Sequence, residues 1–309
     1  MPRLIRAALE RAGVEGADRV SSGVDVVGDI AIVRLAGFSA AEKQKIAGAI
    51  LGEMKNVGVV LEQEGGIEGE FRLRKLAHLA GERRTTTVHR ENGCAFRVDV
   101  AKAYFSPRLS TERLRIAGLA RPGERVLNMF AGVGPFSIAI AKVAGAKVTS
   151  CEVNEAAAEL HEVNDRLNKV EDLVTVIHGD AADLPDVLAE RFDRILMPHP
   201  SESHRYLPAA LRLAKGKGTI HYYRHVLGKD EAEAAAALRG ELGGLLPERA
   251  RFGSRRVREV GPRWVEMAAD IRLPGHRRVM EQEAEAATPL RPGRGVWRPS
   301  PARGRNPAG

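Results

Sequence analysis

The chain has 309 residues, of which 44% are hydrophobic and 28% charged, and it carries a net charge of +8. This composition excludes a largely disordered or fibrous chain, and no apolar run nears the about 18 residues that span a membrane. The positive balance favours a polyanionic partner, RNA foremost, although an Arg-rich chain that binds no nucleic acid would show the same excess.

The first 20 residues alternate apolar and charged positions and read as a short amphipathic helix rather than a leader peptide, which needs an unbroken apolar stretch. The two cysteines, Cys94 and Cys151, have neither metal-site nor disulfide spacing, so a reducing cytoplasm is the expected setting. Residues 24–34 read as two strand pieces about a Gly28-Asp29 turn. Residues 39–54 carry a helical period with Ser39 as cap. Further strands are predicted at 57–62, 70–76, 84–90 and 95–101, which gives a small α+β domain over 21–109 with a basic cluster at Arg72, Arg74, Lys75, Arg83, Arg84 and Arg90.

After a helix at 110–120 the pattern becomes alternating. Strands are predicted at 125–129, 146–152, 173–178, 192–197 and 218–224, with helices at 136–143, 155–168, 183–190, 202–214 and 229–241. Apolar strands alternating with helices imply a mostly parallel, Rossmann-like sheet covered on both faces, and strands at 251–259 and 264–272 suit an antiparallel edge. This second domain runs over 110–273. Residues 274–309 follow it, and from Thr288 on they hold five arginines and five prolines without an acid, the composition of a disordered basic tail.

The strand ending at Asn128 leads into a turn with Phe130, Gly132 and Gly134, and Pro135 opens the next helix. Ligands of doubly wound sheets bind at the carboxyl ends of strands, and glycines there let a ligand approach the backbone. Glu152 closes the next strand, 20 residues after Gly132, where it can accept hydrogen bonds from both ribose hydroxyls of an adenosine cofactor. Asp180 closes the third strand, within reach of an adenine amino group. A dinucleotide fingerprint wants a third glycine where Ser137 stands, so S-adenosylmethionine, which has no pyrophosphate, fits better than NAD.

The stretches Arg83–Cys94, Val98–Arg113 and Met129–Phe136 closely resemble the archaeal and eukaryotic tRNA (guanine-37-N1) methyltransferase family, and the resemblance runs from about residue 22 to 273. It implies a class I S-adenosylmethionine-dependent enzyme that methylates the guanine 3′ of the anticodon, with the tRNA anticodon stem-loop as partner and a monomeric state expected. It implies that Glu112 is the general base for guanine N1, that Arg72 contacts O6 and that Arg108 lies near the target nucleotide. Tyr104 and Phe105 would line the methionine end of the cofactor, and Glu152, Asn154 and Asp180 would be cofactor ligands. The chemistry is coherent: loss of the N1 proton puts negative charge on O6, so a carboxylate at N1 and a guanidinium at O6 both lower the barrier. The residues alone favour plainer roles, with Glu112 on a helix dipole, Arg72 on a solvated strand face and Arg108 in an ion pair.

Three departures stand out. Asn128 replaces the family's aspartate, weakening an expected contact to the cofactor's amino group. In Pro198-His199-Pro200, proline stands at 198 for the asparagine expected to touch guanine, leaving His199 as a substitute donor. Only about 20 residues precede the family-like part, too few for the small N-terminal domain that many members carry. Two alternatives stay open: a wyosine-pathway tRNA aminocarboxypropyl- or methyltransferase using the same cofactor, and a non-catalytic RNA-binding paralogue.

Overall fold

The computed structural model describes residues 2–15, 24–68 and 73–275. Arg72 and the basic tail, both singled out by the sequence, lie outside the described residues.

A four-stranded sheet opens the chain, built from β1 (Asp25–Val27), β2 (Ile30–Val33), β3 (Val59–Glu68) and β4 (Leu73–Gly81) in sequential order. β2 and β3 are parallel, and helix α2 (Ala40–Glu53) makes the crossover between them. Ser39 starts that helix with a reciprocal capping box, its hydroxyl accepting the Glu42 N–H at 3.3 Å while Glu42 accepts the Ser39 N–H at 2.7 Å. Alternation divides the sheet's apolar residues. Ala31, Val33 and Val60 face α2 and the first helix α1 (Pro2–Ala12), while Ile30, Ile32, Val59 and Leu61 face the rest of the protein.

Strands β5 (Thr86–Glu91) and β6 (Cys94–Asp99) form a separate hairpin. It is bound to α5 (Glu155–Asn168), where Asn164 and Asn168 accept the N–H groups of Arg97 (2.6 Å) and Ala95 (2.9 Å) like an extra strand edge. Phe96 and Val98 thereby join one core with Val126 and Ile138. After a short turn at Pro107–Leu109, α3 (Ser110–Leu119) leads into the large sheet.

That sheet has seven strands: β7 (Arg125–Asn128), β8 (Lys147–Glu152), β9 (Val174–His178), β10 (Phe192–Met197), β11 (Ala214–Leu227), β12 (Arg251–Gly261) and β13 (Trp264–Arg272). Their order is β12-β13-β11-β10-β7-β8-β9. The five strands from β11 to β9 are parallel, and β13 and β12 add the antiparallel edge. α3, α4 (Pro135–Ala144) and α5 cover one face, and α6 (Leu184–Val187), α7 (Ser203–Leu213) and α8 (Glu231–Gly243) the other. The predicted Rossmann-like architecture and its antiparallel edge are thus present, beside a smaller α+β unit. Strand β11 is longer than the predicted 218–224: at its start Ala214 pairs with Phe192 ahead of a register shift, and at its end His225, Val226 and Leu227 pair with β13. No helix among the described residues is long and apolar enough to cross a membrane.

Candidate active site

The strand order β10-β7-β8-β9 brings four strand ends together, and a cavity of about 530 Å³ opens above them. Its floor is the turn after β7. Ala131 N–H bonds to the Cys151 carbonyl at 2.9 Å, and Gly134 N–H returns to Ala131 at 3.0 Å. Gly132 and Gly134 adopt φ of 55° and 89°, the left-handed region that favours glycine. Gly134 also lies against the buried ring of His161, and a Cβ there would overlap it.

Glu152, at the end of β8, accepts the N–H groups of Gly132 (2.6 Å) and Asn154 (2.9 Å), one on each carboxylate oxygen. Each oxygen keeps a further lone pair. Burial holds this carboxyl above the usual glutamate range, against the pull of those backbone donors. Asn154 caps α5 by accepting the Ala156 N–H at 3.1 Å, and its amide donates to the Lys102 carbonyl at 2.7 Å, tying the Tyr104 loop to the helix start. Asp180 accepts the Ala182 N–H at 2.9 Å and also lines the cavity.

Tyr104, Phe130, Gly132, Glu152, Asn154, Asp180, Pro198 and His199 all line this cavity. Others among the sequence candidates do not. Phe105 is buried among Phe96, His89 and the Arg113 guanidinium, since neighbours in extended chain point opposite ways. Asn128 is buried beneath the turn, donating to Ser137 Oγ at 3.0 Å. Ser137 also accepts from Ser150 at 2.8 Å, so the position that replaces a third glycine knits β7, β8 and α4 together. The Pro200 carbonyl accepts the His225 N–H at 3.1 Å and ties the loop to β11. Arg108 is half exposed and paired with Asp25 at 2.7 Å, with Arg74 on the other carboxylate oxygen.

Glu112 sits in the first turn of α3 and is 4% exposed. It accepts two hydrogen bonds from Arg115 (2.7 and 2.9 Å), one from Tyr223 Oη (2.7 Å) and one from Arg255 (2.9 Å). Arg115 also binds Asp270 at 2.7 Å, and Asp270 accepts from His221 Nδ1 at 2.5 Å. Burial, partly offset by Asp270, lowers the His221 pKa. The ring is therefore neutral, with Nδ1 protonated toward Asp270 and Nε2 accepting from Arg194 at 2.6 Å. Nearby, burial would weaken the Arg258 cation, but Tyr104 and Glu266 outweigh it and hold it above the ordinary arginine value. Arg258 donates to Glu266 (2.6 Å), Ser106 Oγ (3.1 Å) and the Tyr104 hydroxyl (3.3 Å).

Sequence reasoning missed Arg205, Tyr206 and Glu202, which α7 and its approach bring to the cavity wall. It also missed Arg255 and Arg258, whose only signal was their place on a basic edge strand.

Residues 87–238 match the model of the TRM5/TYW2 methyltransferase domain, and residues 5–85 that of the TYW2 N-terminal domain. The tRNA (guanine(37)-N(1))-methyltransferase Trm5b of Pyrococcus abyssi is 40% identical over 253 residues, covering 81% of this chain and 74% of that protein. The tRNA(Phe) (4-demethylwyosine(37)-C(7)) aminocarboxypropyltransferase of Pyrococcus horikoshii is 38% identical over 200 residues, covering 65% and 70%. The solved structure of Methanocaldococcus jannaschii Trm5 in complex with adenosine superimposes with a TM-score of 0.71 at 32% identity, covering 82% of this chain and 72% of that one.

Proposed function

The chain belongs to the TRM5/TYW2 methyltransferase family, and on that premise we propose that it moves the methyl group of S-adenosylmethionine to N1 of the guanine 3′ of a tRNA anticodon. The observation that carries this reading is that Glu152, Asp180 and Tyr104 line one cavity.

The residues present fit the cofactor. Glu152 keeps one lone pair per oxygen for the two ribose hydroxyls, Asp180 on the cavity lining would accept an adenine amino group, and the cavity volume is in the usual range for a ligand of this size. When bound, S-adenosylmethionine supplies an electrophilic methyl group. The chain's own part is to orient the guanine, take its N1 proton and shield the site from water. Glu112 is our candidate for the proton. Arg72 remains a candidate for O6 by resemblance. Arg108 is a candidate for holding the target nucleotide, once a phosphate competes with Asp25.

Glu112 cannot take a proton while all four of its acceptor positions are filled. Arg255, 40% exposed against 21% for Arg115, is the donor best placed to give way.

A second reading is wyosine-precursor modification, supported by the match of residues 5–85 to the TYW2 N-terminal domain and by Pro198 in the guanine-contacting position. The mass of the modified nucleoside decides. One added methyl on guanosine supports our proposal, and an aminocarboxypropyl group overturns it. Calorimetry that detects no S-adenosylmethionine binding would favour the non-catalytic alternative.

A further inference from the structure

Cross-strand pairing puts Asp25, Ile32 and Leu61 on one face of the small sheet, the face turned toward the rest of the protein. Leu76 of β4 packs on that side, and Arg74, two residues before it, points the same way. Arg74 donates to Asp25 Oδ2 at 3.3 Å. Arg108, from the turn at Pro107–Leu109, donates to Oδ1 through Nε at 2.8 Å and brings a second nitrogen to 2.7 Å. Asp25 thus holds one guanidinium on each oxygen. Glu62 and Glu64 of β3 face away, where they pair with Lys43 at 2.8 Å and Lys75 at 3.3 Å.

One acid does not satisfy this cluster. Arg74 is nine-tenths buried, and its Nη1 has no hydrogen-bond partner among the described residues. Burial holds the Arg74 cation below the ordinary arginine value in spite of Asp25, and the charges of Arg34 and Arg108 push the same way. Three guanidinium groups therefore share one carboxylate, and an N–H buried without an acceptor is costly until a ligand supplies one. Arg108 is half exposed, and Arg34, directly after β2, is exposed. A phosphodiester offers what is lacking, a negative charge spread over two oxygens that match the fork of a guanidinium. The cluster adjoins the cofactor cavity: Arg108 follows four residues after Tyr104, which lines that cavity and also acts on the Arg74 charge.

We propose that Arg34, Arg74 and Arg108 form a binding site for one phosphodiester of the RNA strand, and that Asp25 occupies this site until the phosphate displaces it. This rests on the RNA-modifying reading above. Arg74 is the buried anchor of the site and Asp25 its built-in competitor. A passing backbone contact does not remove Asp25, whereas a strand whose target nucleotide already sits in the cavity presents its phosphate at high effective concentration and does.

The test is a binding titration of the full chain with an anticodon stem-loop RNA, at fixed salt and without S-adenosylmethionine. It is repeated with RNAs that carry one uncharged methylphosphonate at each position about the target in turn. We expect Arg74→Met to weaken binding about 10- to 100-fold. Asp25→Asn, which keeps the shape of the side chain, should tighten it about threefold or more. One methylphosphonate RNA should erase both differences from wild type. The gain in Asp25→Asn separates the proposal from a purely structural ion pair, whose loss can only weaken binding. Arg74→Met within about twofold of wild type, Asp25→Asn that binds no more tightly, or equal effects on every methylphosphonate RNA would each overturn the proposal, and the last would leave the arginines to a free anion or to the fold. The methyl-transfer reading fails separately, on product analysis, and a chain that grips RNA through Arg74 but transfers no methyl group would leave this site standing.

Discussion

The Tyr223 hydroxyl donates to Glu112 Oε1 at 2.7 Å, joining strand β11 to the first turn of α3 across 111 positions of sequence. Burial and the Glu112 charge push the Tyr223 hydroxyl well above the ordinary tyrosine value, so it stays a donor throughout the physiological range. Glu112→Gln keeps the shape but removes the base. Single-turnover methyl transfer should fall about 10²- to 10⁴-fold, whereas Tyr223→Phe, which removes one of four donors, should lose far less. Equal losses in the two variants would mean that Glu112 acts only as a scaffold.

The two arginines on Glu112 should behave differently. Arg115→Met strips a common counter-ion from Glu112 and Asp270 and should destabilise the fold by about 3 kcal/mol or more. Arg255→Met removes a partly exposed partner and should cost less than about 1 kcal/mol. Denaturant unfolding of both variants checks this, and similar losses would count against Arg255 as the donor that yields.

Gly134→Ala should damage cofactor binding and stability together, because the new Cβ meets both a φ of 89° and the His161 ring. The double variant with His161→Ala should restore only the steric share. Calorimetry and thermal unfolding would show it, and full additivity of the two single variants would indicate that ring and turn are not in contact.

Burial raises the Asp165 pKa to about 8 and lowers that of His161 to about 3, at a separation of 3.5 Å. Asp165 thus holds its proton more tightly folded than unfolded, and its own contribution to stability falls as pH rises from about 4 to about 8, while His161, kept neutral in the fold, contributes the opposite slope up to about 6.5. Asp165→Asn removes that slope, so its melting temperature should gain on wild type with rising pH across this window. Parallel curves would contradict a buried, protonated Asp165.

Much of this was readable in advance, for physical reasons. Apolar strands separated by amphipathic helices specify a covered parallel sheet, and the strand-end positions of Gly132, Glu152 and Asp180 place them on one cavity. Side-chain direction was less legible. Tyr104 faces the cavity and Phe105 the core, and Asn128 is turned under its own turn toward Ser137. The Glu112 network was hidden because its donors come from α3, β11 and β12, and only the antiparallel edge brings Arg255 to it. Arg205 and Tyr206 carry no motif and reach the cavity through the placement of α7.

The central claim is that this cavity serves guanine N1 methylation. The most direct measurement is transfer of a labelled methyl group from S-adenosylmethionine to tRNA transcripts carrying G or A immediately 3′ of the anticodon. The account predicts transfer to the G transcript alone, lost in Glu112→Gln and in Arg72→Ala. Equal transfer to both transcripts, or transfer that survives Glu112→Gln undiminished, would contradict it.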